Sequence, residues 1–298
     1  MSIDPKMMAQ MVGGAGFIAA LDQSGGSTPK ALRAYGLEED AWNSEDEMFT
    51  LIHDMRSRIV TAPSFDGQKV LGAILFEKTM NGEAGGKPVP HLLWERGVVP
   101  FLKVDKGLEE EADGVQMMKP MPSLDDMCRD AVSKGIFGTK MRSVIHEANE
   151  DGIAANVDQQ FEFARQIIGH GLVPIVEPEV NLKSESRAEC DALVLKHIHR
   201  NLDALPDGER VMLKLSLPVE DDLYAPLVAH PRVIRVVALS GGYEREEANA
   251  KLARNRGMIA SFSRALLQDL RADMDDEQFD AALGAAIDDI YAASVCNG

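Results

Sequence analysis

Ionisable side chains interrupt several short apolar segments of this 298-residue chain. Lys214 lies within Val-Met-Leu-Lys-Leu-Ser, and Glu177 and Glu179 flank a proline within Val-Pro-Ile-Val-Glu-Pro-Glu. Similar segments contain Asp22, Lys103, Asp105, Lys140 and Arg142. Charges that share a segment are two residues apart, so in a β-strand both side chains point to the same face. A lysine amine near carboxylates is suited to nucleophilic attack on a carbonyl carbon with accompanying proton transfer.

The energetic cost of such charges restricts where they lie. Isolated buried ions cost several kcal/mol each, whereas the free energy of unfolding of a whole protein is only about 5–15 kcal/mol. These side chains must therefore pair with one another or line a polar opening at the strand ends. An internal salt-bridge network without catalytic use is the alternative. It does not explain why the charges collect near strand ends, whereas clustered ionisable groups are typical of functional sites.

Apolar segments rich in β-branched residues alternate with amphipathic helical patterns along the chain. We predict eight β-strands, at Phe17–Asp22, Leu71–Phe76, Pro100–Asp105, Gly138–Ser143, Val173–Glu179, Val211–Ser216, Arg235–Gly241 and Met258–Ser263. Eight alternations without a long linker favour an α/β fold, a (β/α)8 TIM barrel that residues 1–298 form as a single domain. A doubly wound open sheet is the structural alternative. In a TIM barrel the carboxyl ends of the strands carry the active site, which would place the charges at one mouth.

Other segments are expected to surround the barrel strands. Ser44 and Glu47 have the spacing of a capping box, which predicts the start of a helix. Residues 276–294 are predicted to form a C-terminal closing helix with its apolar residues on one face. Asn81–Pro88 is polar and glycine-rich, and Lys106–Pro122 is acidic. We expect both stretches to be insertions on the face that carries active-site loops.

Two glycine-containing segments are candidates for binding an anion. Ser240-Gly241-Gly242 follows predicted strand seven, and Arg264 follows strand eight. TIM barrels frequently bind phosphate with these two loops, and here they offer a hydroxyl, glycine N–H groups and a guanidinium. Ser27 and Lys30 follow strand one in a similar segment. That segment is either a second anion site or a plain loop leading into a helix.

Composition excludes several classes of function. The chain has 31 Lys and Arg against 48 Asp and Glu, a net charge of −17, which argues against nucleic-acid binding. No apolar run approaches the roughly 18 residues that span a bilayer, and the first residues lack the pattern of a secretory signal. We therefore predict a cytoplasmic protein without membrane association. The sequence leaves open whether it forms a homo-oligomer.

Cysteine and histidine spacing predicts neither disulfides nor a metal site. Cys128, Cys190 and Cys296 are far apart, which favours reduced thiols. His197 and His199 lie in a polar helical stretch, where we expect them to be surface residues rather than metal ligands. We predict no metal and no cofactor.

These segments together resemble the class I fructose-bisphosphate aldolases, in their shorter bacterial form. The resemblance runs from about Gly13 to Ser294. Its most specific segments, in the family's order, are Ala19–Ser27, Leu102–Gly107, Val173–Glu179, Met212–Lys214, Leu239–Gly242 and Phe262–Arg264.

The resemblance implies a carbon–carbon lyase that reversibly cleaves fructose 1,6-bisphosphate into dihydroxyacetone phosphate and glyceraldehyde 3-phosphate, in glycolysis and gluconeogenesis. It implies that Lys214 forms a Schiff base with the ketone of this phosphorylated sugar. Glu177 matches the acid/base carboxylate, and Glu179 the neighbouring carboxylate that helps to form and orient the imine.

The resemblance also assigns residues that surround the substrate. Those that match positions near the cleaved bond are Asp22, Lys103 and Lys140. Those that match the site for the ketose 1-phosphate are Ser240, Gly241 and Arg264. Further candidate substrate-binding residues are Arg142, Gly242, Ser27 and Lys30.

Physical chemistry gives each group a task. Lys214 must attack as a free amine, and a second ammonium at the same mouth, Lys140, would favour that neutral form by like-charge repulsion. Glu177 can transfer protons as water leaves. Asp22 is a candidate to hold or deprotonate the substrate's 4-hydroxyl, and Lys103 and Lys140 can stabilise developing negative oxygen. Role exchanges among Glu177, Glu179 and Asp22 stay open.

The chain departs from the animal members at two places. The basic residue that follows the family's early lysine is Ala31 here, with Arg33 two residues further on. Recognition of the 6-phosphate is therefore expected to differ. Animal members also end in a tail with a terminal tyrosine, whereas this sequence ends in Val295-Cys296-Asn297-Gly298, so we expect tail-assisted proton transfer to be replaced or absent.

Three other functions are compatible with parts of the pattern. A transaldolase or a deoxyribose-phosphate aldolase would share the lysine and the phosphate loop but would not need Glu177 and Glu179 with these lysines. A metal-dependent aldolase would need a histidine cluster. A non-catalytic scaffold would leave costly buried charges without purpose.

Overall fold

A computed structural model describes residues 4–296; residues 1–3, Asn297 and Gly298, which the predicted single domain includes, lie outside the described part. Eight parallel strands form the barrel: β1 Phe17–Leu21, β2 Val70–Leu75, β3 Val99–Lys103, β4 Gly138–Ile145, β5 Val173–Val180, β6 Val211–Ser216, β7 Val233–Leu239 and β8 Met258–Ala260. Each strand pairs with the next one along the chain. This sequential order confirms the predicted (β/α)8 barrel and excludes the doubly wound sheet, in which the strand order reverses.

The barrel closes less tightly between β8 and β1 than elsewhere. Every other neighbouring pair of barrel strands shares a ladder of backbone hydrogen bonds. At the β8–β1 seam, a backbone hydrogen bond of 3.1 Å runs from Ala20 N to Phe262 O, just beyond the end of β8. The seam is therefore the place where side chains can add most to closure.

Twelve α-helices lie within residues 4–296. They are α1 Pro5–Gly13, α2 Ser27–Ala34, α3 Glu45–Thr61, α4 Glu77–Met80, α5 Val89–Glu95, α6 Leu124–Ser133, α7 Glu150–Gly169, α8 Arg187–Asp203, α9 Ala225–Val228, α10 Arg245–Leu252, α11 Arg264–Leu267 and α12 Asp276–Val295. A short 3-10 helix, Glu39–Ala41, precedes α3. None of the helices in this part of the chain is long and apolar enough to span a bilayer.

Helix caps follow the sequence signals with one difference. Ser44 caps α3 by accepting a hydrogen bond from Glu47 N, as predicted, but the Glu47 side chain accepts from Asn43 N rather than from Ser44 N. The predicted closing helix is α12, and its predicted apolar face is buried. Ser294 on α12 accepts a hydrogen bond from Ala260 N of β8 at 3.0 Å, which fixes the closing helix to the seam strand.

The barrel interior has an apolar layer below a charged layer. Phe101, Ile175 and Met212 point inward and are fully buried. Two residues further along the same strands lie Lys103, Glu177 and Lys214, and the period-two alternation of a strand keeps them on the inward face. Helix α1, which the sequence analysis did not predict, covers the amino-terminal end of this apolar layer with two methionine side chains. The two-residue alternation of side chains along each strand therefore places the charges at one mouth of the barrel.

The two predicted insertions lie in different places. Lys106–Pro122 lies at the mouth as predicted, because its short strand, Val115–Gln116, pairs antiparallel with the carboxyl end of β4. Asn81–Pro88 instead forms a small hairpin beside α3. There Gly85 packs near Thr61 at the end of α3 that leads into β2, so the predicted position of this stretch is wrong. Its polar, glycine-rich composition reflects a tight turn with positive φ at both turn glycines.

The three cysteines are free, as the spacing predicts. Cys128 and Cys190 are buried among apolar side chains. Burial raises the pKa of the Cys128 thiol to about 12, so this side chain stays protonated and serves the core.

Candidate active site

Four predicted site residues from different strands meet at the carboxyl end of the barrel. Lys140 Nζ on β4 lies 2.6 Å from Asp22 Oδ2, just after β1, and 3.0 Å from Glu177 Oε2 on β5. Lys214 Nζ on β6 lies 3.2 Å from the other Glu177 oxygen, Oε1. All four residues are at least 92% buried. Glu177 therefore bridges two lysine side chains, each through its own oxygen.

The charges in this cluster stabilise one another. Burial disfavours the ionised form of Asp22, but attraction by Lys140, Lys214 and Lys103 outweighs it and holds the pKa of Asp22 well below its usual range. Burial likewise disfavours the Lys140 ammonium, but Asp22, Glu177 and Asp105 raise the Lys140 pKa well above its usual value. Asp22 is therefore a carboxylate and Lys140 an ammonium at neutral pH.

Two further ion pairs flank the cluster. Lys103 Nζ donates to Asp105 Oδ1 at 2.6 Å and to Asp105 O at 3.0 Å. Burial lowers the pKa of Lys103, and Asp105 offsets part of that shift. Arg142 donates to Glu179 Oε2 at 2.9 Å, so Glu179 is held by an arginine rather than by Lys214. Burial opposes the charge of Arg142, but Glu179 and the other carboxylates outweigh it and raise its pKa.

A buried amide sets the position of Glu177. Gln160 on α7 accepts a hydrogen bond of 3.1 Å from Glu177 N and donates one of 2.8 Å to Ser143 on β4. The β5–β6 register is formed at Ile175 and Val176, immediately before this point. Beyond it, the Ser216 hydroxyl bonds to both backbone groups of Val180, at 2.9–3.0 Å. Side chains thus replace ladder bonds where Glu177 and Lys214 face the mouth.

The predicted phosphate-binding loops lie side by side. Gly241 and Gly242 have φ values of +62° and +126°, and a Cβ on Gly242 would lie 3.5 Å from the Arg264 guanidinium. Ser240 is buried, and its carbonyl accepts from Tyr243 N at 2.9 Å, which closes the turn. In the described part of the chain, no carboxylate lies within 4.0 Å of the exposed Arg264. A guanidinium without a carboxylate partner thus lies beside the glycine turn.

The second predicted anion segment is built differently. The Ser27 hydroxyl is used within its own turn, donating to Ser24 O at 2.8 Å and accepting from Ser24 N at 2.9 Å. Lys30, on the exposed side of α2, has no carboxylate within 4.0 Å among residues 4–296. Arg33 is not available in the same way, because it forms an ion pair with Glu39.

The expectation that His197 is a surface residue is wrong. Its side chain is 4% exposed, because it lies on the inner face of α8 rather than in a solvated stretch. Burial, reinforced by Arg200 and Lys196, lowers the pKa of His197. His199 is half-buried and lies near Asp203 and His230, with ligand atoms within 4.8 Å of one another. This group is at the end of α8 and the start of β7, the opposite end of the barrel from Lys214.

Some helices direct polar side chains inward at positions that were not predicted from the sequence. Gln160 is one, and Arg56 on α3, 1% exposed, is another. A signal was present, because Arg56 lies four residues after Ile52 and three before Ile59, within an apolar helical stripe. A polar residue at such a position indicates a buried partner.

Comparison with known proteins connects this geometry to a family. The family model for fructose-bisphosphate aldolase class-I matches residues 5–214, a range that ends at Lys214. The fructose-bisphosphate aldolase from Plasmodium falciparum, solved with TRAP and a small molecule inhibitor, superposes with a TM-score of 0.78 at 20% identity, over 100% of this chain and 97% of that one.

A Schiff base forming fructose-1,6-bisphosphate aldolase superposes with a TM-score of 0.53 at 13% identity, over 97% of this chain and 100% of that one. At these identities the two structures show the common fold alone. The family match covers well over half of the chain. The chain belongs to the class I fructose-bisphosphate aldolases, which are carbon–carbon lyases.

Proposed function

We propose that this enzyme reversibly cleaves fructose 1,6-bisphosphate into dihydroxyacetone phosphate and glyceraldehyde 3-phosphate, for glycolysis or gluconeogenesis, through an imine on Lys214. The observation that carries the proposal is the contact between Lys214 Nζ and Glu177 Oε1, 3.2 Å, at the buried mouth of a barrel from this family. A buried amine with an adjacent proton acceptor is what attack on a ketone requires.

The imine solves the main problem of the reaction. Cleavage of the carbon–carbon bond leaves an electron pair on carbon, and a neutral carbonyl stabilises it poorly. Condensation of Lys214 with the ketone releases water and, once protonated, gives a cationic nitrogen that accepts the pair. Glu177 lies where it can accept a proton from the amine and return one to the departing water. Because the protonated imine accepts the electron pair, the proposed reaction needs no metal and no cofactor.

Asp22 is proposed to accept the proton of the substrate's 4-hydroxyl. Its depressed pKa keeps it ionised, and Lys140, at 2.6 Å, balances its charge. Loss of the hydroxyl proton creates a carbonyl as the neighbouring carbon–carbon bond breaks, and the electron pair moves to the imine. Lys140 and Lys103 lie at this end of the site and can stabilise negative charge on oxygen.

The substrate's phosphates are assigned to the two loops. Arg264 with Ser240, Gly241 and Gly242 is proposed to hold the 1-phosphate, because a guanidinium and backbone N–H groups can bind its oxygens together. Lys30 is proposed to contribute at the 6-phosphate. The Ser27 hydroxyl would donate to a phosphate only by giving up the hydrogen bond that it donates to Ser24 O.

Borohydride trapping tests the proposal. Incubation with fructose 1,6-bisphosphate and borohydride should attach the ketose carbons covalently to Lys214, as peptide mass spectrometry would show. Lys214→Met should abolish both trapping and cleavage. Lys119→Met, which removes an exposed lysine, is the matched control and should change neither. Trapping on another lysine, or normal cleavage by Lys214→Met, would refute the assignment.

A further inference from the structure

Helix α3 places a buried guanidinium against the segment that follows β1. Arg56 donates to Thr79 Oγ1 at 2.8 Å, to the Gln23 carbonyl and, at 3.2 Å, to Gln23 Oε1. Within residues 4–296, no carboxylate lies within 4.0 Å of it. Burial lowers the pKa of Arg56 to about 10, and attraction from Asp22 offsets part of this shift. A buried cation without an ion-pair partner carries a large desolvation penalty, so its contacts need an explanation.

Gln23 carries these contacts across the weak seam of the barrel. Its Nε2 donates to Ser263 Oγ at 2.6 Å and to Ala20 O at 3.3 Å. Among the described residues, the Ala20–Phe262 bond is the one backbone hydrogen bond that joins β1 to the segment after β8 across the seam. The Gln23–Ser263 bond therefore adds a rung at the mouth end of the seam. Two hydrogen bonds from Arg56 fix both the backbone and the side chain of Gln23.

The two residues joined by this rung are neighbours of two proposed functional groups. Gln23 follows Asp22, and Ser263 precedes Arg264. Ladders from β6 through β7 to β8 set the position of Arg264 relative to Lys214. No such ladder sets Asp22 relative to Arg264, since the seam lies between them.

We propose that Arg56 and Gln23 are positioning residues that fix the separation of Asp22 from Arg264, and so align the 4-hydroxyl of a substrate whose 1-phosphate is held by Arg264. This inference rests on the proposed function. A purely structural arginine would tie α3 to the barrel and affect stability alone. Here Arg56 Nη2 donates to both the carbonyl and the side chain of Gln23, the residue that spans the seam. The effect should therefore fall on one chemical step.

The expected effect separates cleavage from imine formation. Arg56→Met and Gln23→Leu should each lower kcat for fructose 1,6-bisphosphate cleavage about tenfold or more, as loss of a buried hydrogen bond would. Trapping of dihydroxyacetone phosphate on Lys214 by borohydride should stay within about twofold of the wild type, since strand ladders keep Lys214 and Arg264 in place. The double variant should be no slower than the slower single variant, because both changes remove one linkage.

Arg235→Met is the matched control, because Arg235 also donates to several backbone carbonyls, those of Met11, Val12 and Gly14, but at the other end of the barrel. It should lower thermal stability and leave the ratio of cleavage to trapping unchanged. If Arg56→Met does not fold, Gln23→Leu and Ser263→Ala carry the test, since both leave the Arg56–Thr79 contact intact.

Wild-type kcat in the folded Gln23→Leu and Ser263→Ala variants would overturn the inference, as would parallel losses of cleavage and trapping. A wild-type protein that traps no ketose would instead refute the proposed function.

Discussion

Replacement of Lys140 by methionine tests the charge balance at the barrel mouth. The lysine lies 2.6 Å from Asp22 and 3.0 Å from Glu177, and its side chain is 4% exposed. Methionine fills similar space without charge. The variant would leave two buried carboxylates, those of Asp22 and Glu177, with Lys214 as the remaining lysine in contact with Glu177.

The expected loss is large because the pair is buried. Removal of one partner from a buried ion pair costs about 3–5 kcal/mol. For a chain of this size, 1 kcal/mol shifts the midpoint of thermal unfolding by about 2 °C, so the midpoint should fall by about 6–10 °C at pH 7. An exposed pair gives a contrast. Lys196 and Glu150 are each more than half exposed, and Lys196→Met should shift the midpoint by about 2 °C or less.

The loss should depend on pH with a defined sign. In the wild type the pKa of Asp22 is depressed, so its contribution to stability is present above the unfolded pKa and is lost as pH falls through the folded pKa. The pKa of Lys140 is raised, so its contribution is present below the unfolded lysine pKa and is lost as pH rises through the folded value. In Lys140→Met the pKa of Asp22 rises. The stability gap between the two proteins should therefore be widest at neutral pH and narrow as Asp22 of the variant becomes protonated.

Calorimetry of both proteins and of the Lys196→Met control from pH 4 to pH 8 measures this gap. A midpoint shift for Lys140→Met no larger than that of the control would contradict the charge-balance reasoning. So would a gap that widens toward acid pH. Activity alone would not decide the matter, because Lys140 is also a proposed catalytic residue.

Two further changes test individual supports of the site. Gln160→Leu removes a hydrogen-bond partner from Glu177 N and from the Ser143 hydroxyl. An unsatisfied buried group costs about 1–3 kcal/mol, so the variant should have a lower unfolding midpoint and a lower kcat. An unchanged kcat would show that Gln160 does not position Glu177. Arg264→Met should raise KM for fructose 1,6-bisphosphate about tenfold or more. The unfolding midpoint should not change, since Arg264 is exposed and forms no ion pair with the described residues. Steady-state kinetics and calorimetry on the same samples would measure KM and the midpoint.

Much of the fold could be predicted because strand parity is a local property. Charges at Lys103, Glu177 and Lys214 each follow an inward apolar residue by two positions, and Lys140 follows Gly138 by the same spacing. The same rule that buries the apolar residue places the charge at the mouth, whatever the exact bounds of the strand. Parallel pairing in chain order then brings the four strands to one opening. Prediction of the cluster therefore needed only the pattern of eight strands and the two-residue repeat of side chains along each strand.

What could not be predicted depends on contacts between distant segments. Arg56 reaches Gln23 across 33 positions of sequence, and only the packing angle of α3 on the barrel brings them together. The predicted position of Asn81–Pro88 was wrong for a related reason. A polar segment after a strand usually belongs to the mouth, but here α4 intervenes and carries the hairpin along α3. The predicted surface position of His197 was wrong because this residue lies on the inward face of α8, although its neighbours in the sequence are polar.

The net charge of −17 makes the free cations at the mouth important. Attraction of the proposed substrate, an anionic sugar bisphosphate, must overcome the electrostatic field of the whole chain, which repels it. The lysines of the buried cluster contribute little to this attraction, since Asp22, Glu177 and Asp105 already neutralise them. Arg264 and Lys30 differ, because in the described chain neither has a carboxylate within 4.0 Å. We propose that the two sets of charges have separate roles: the buried charges, which are paired with one another, serve proton transfer, and the unpaired cations at the rim bind phosphate.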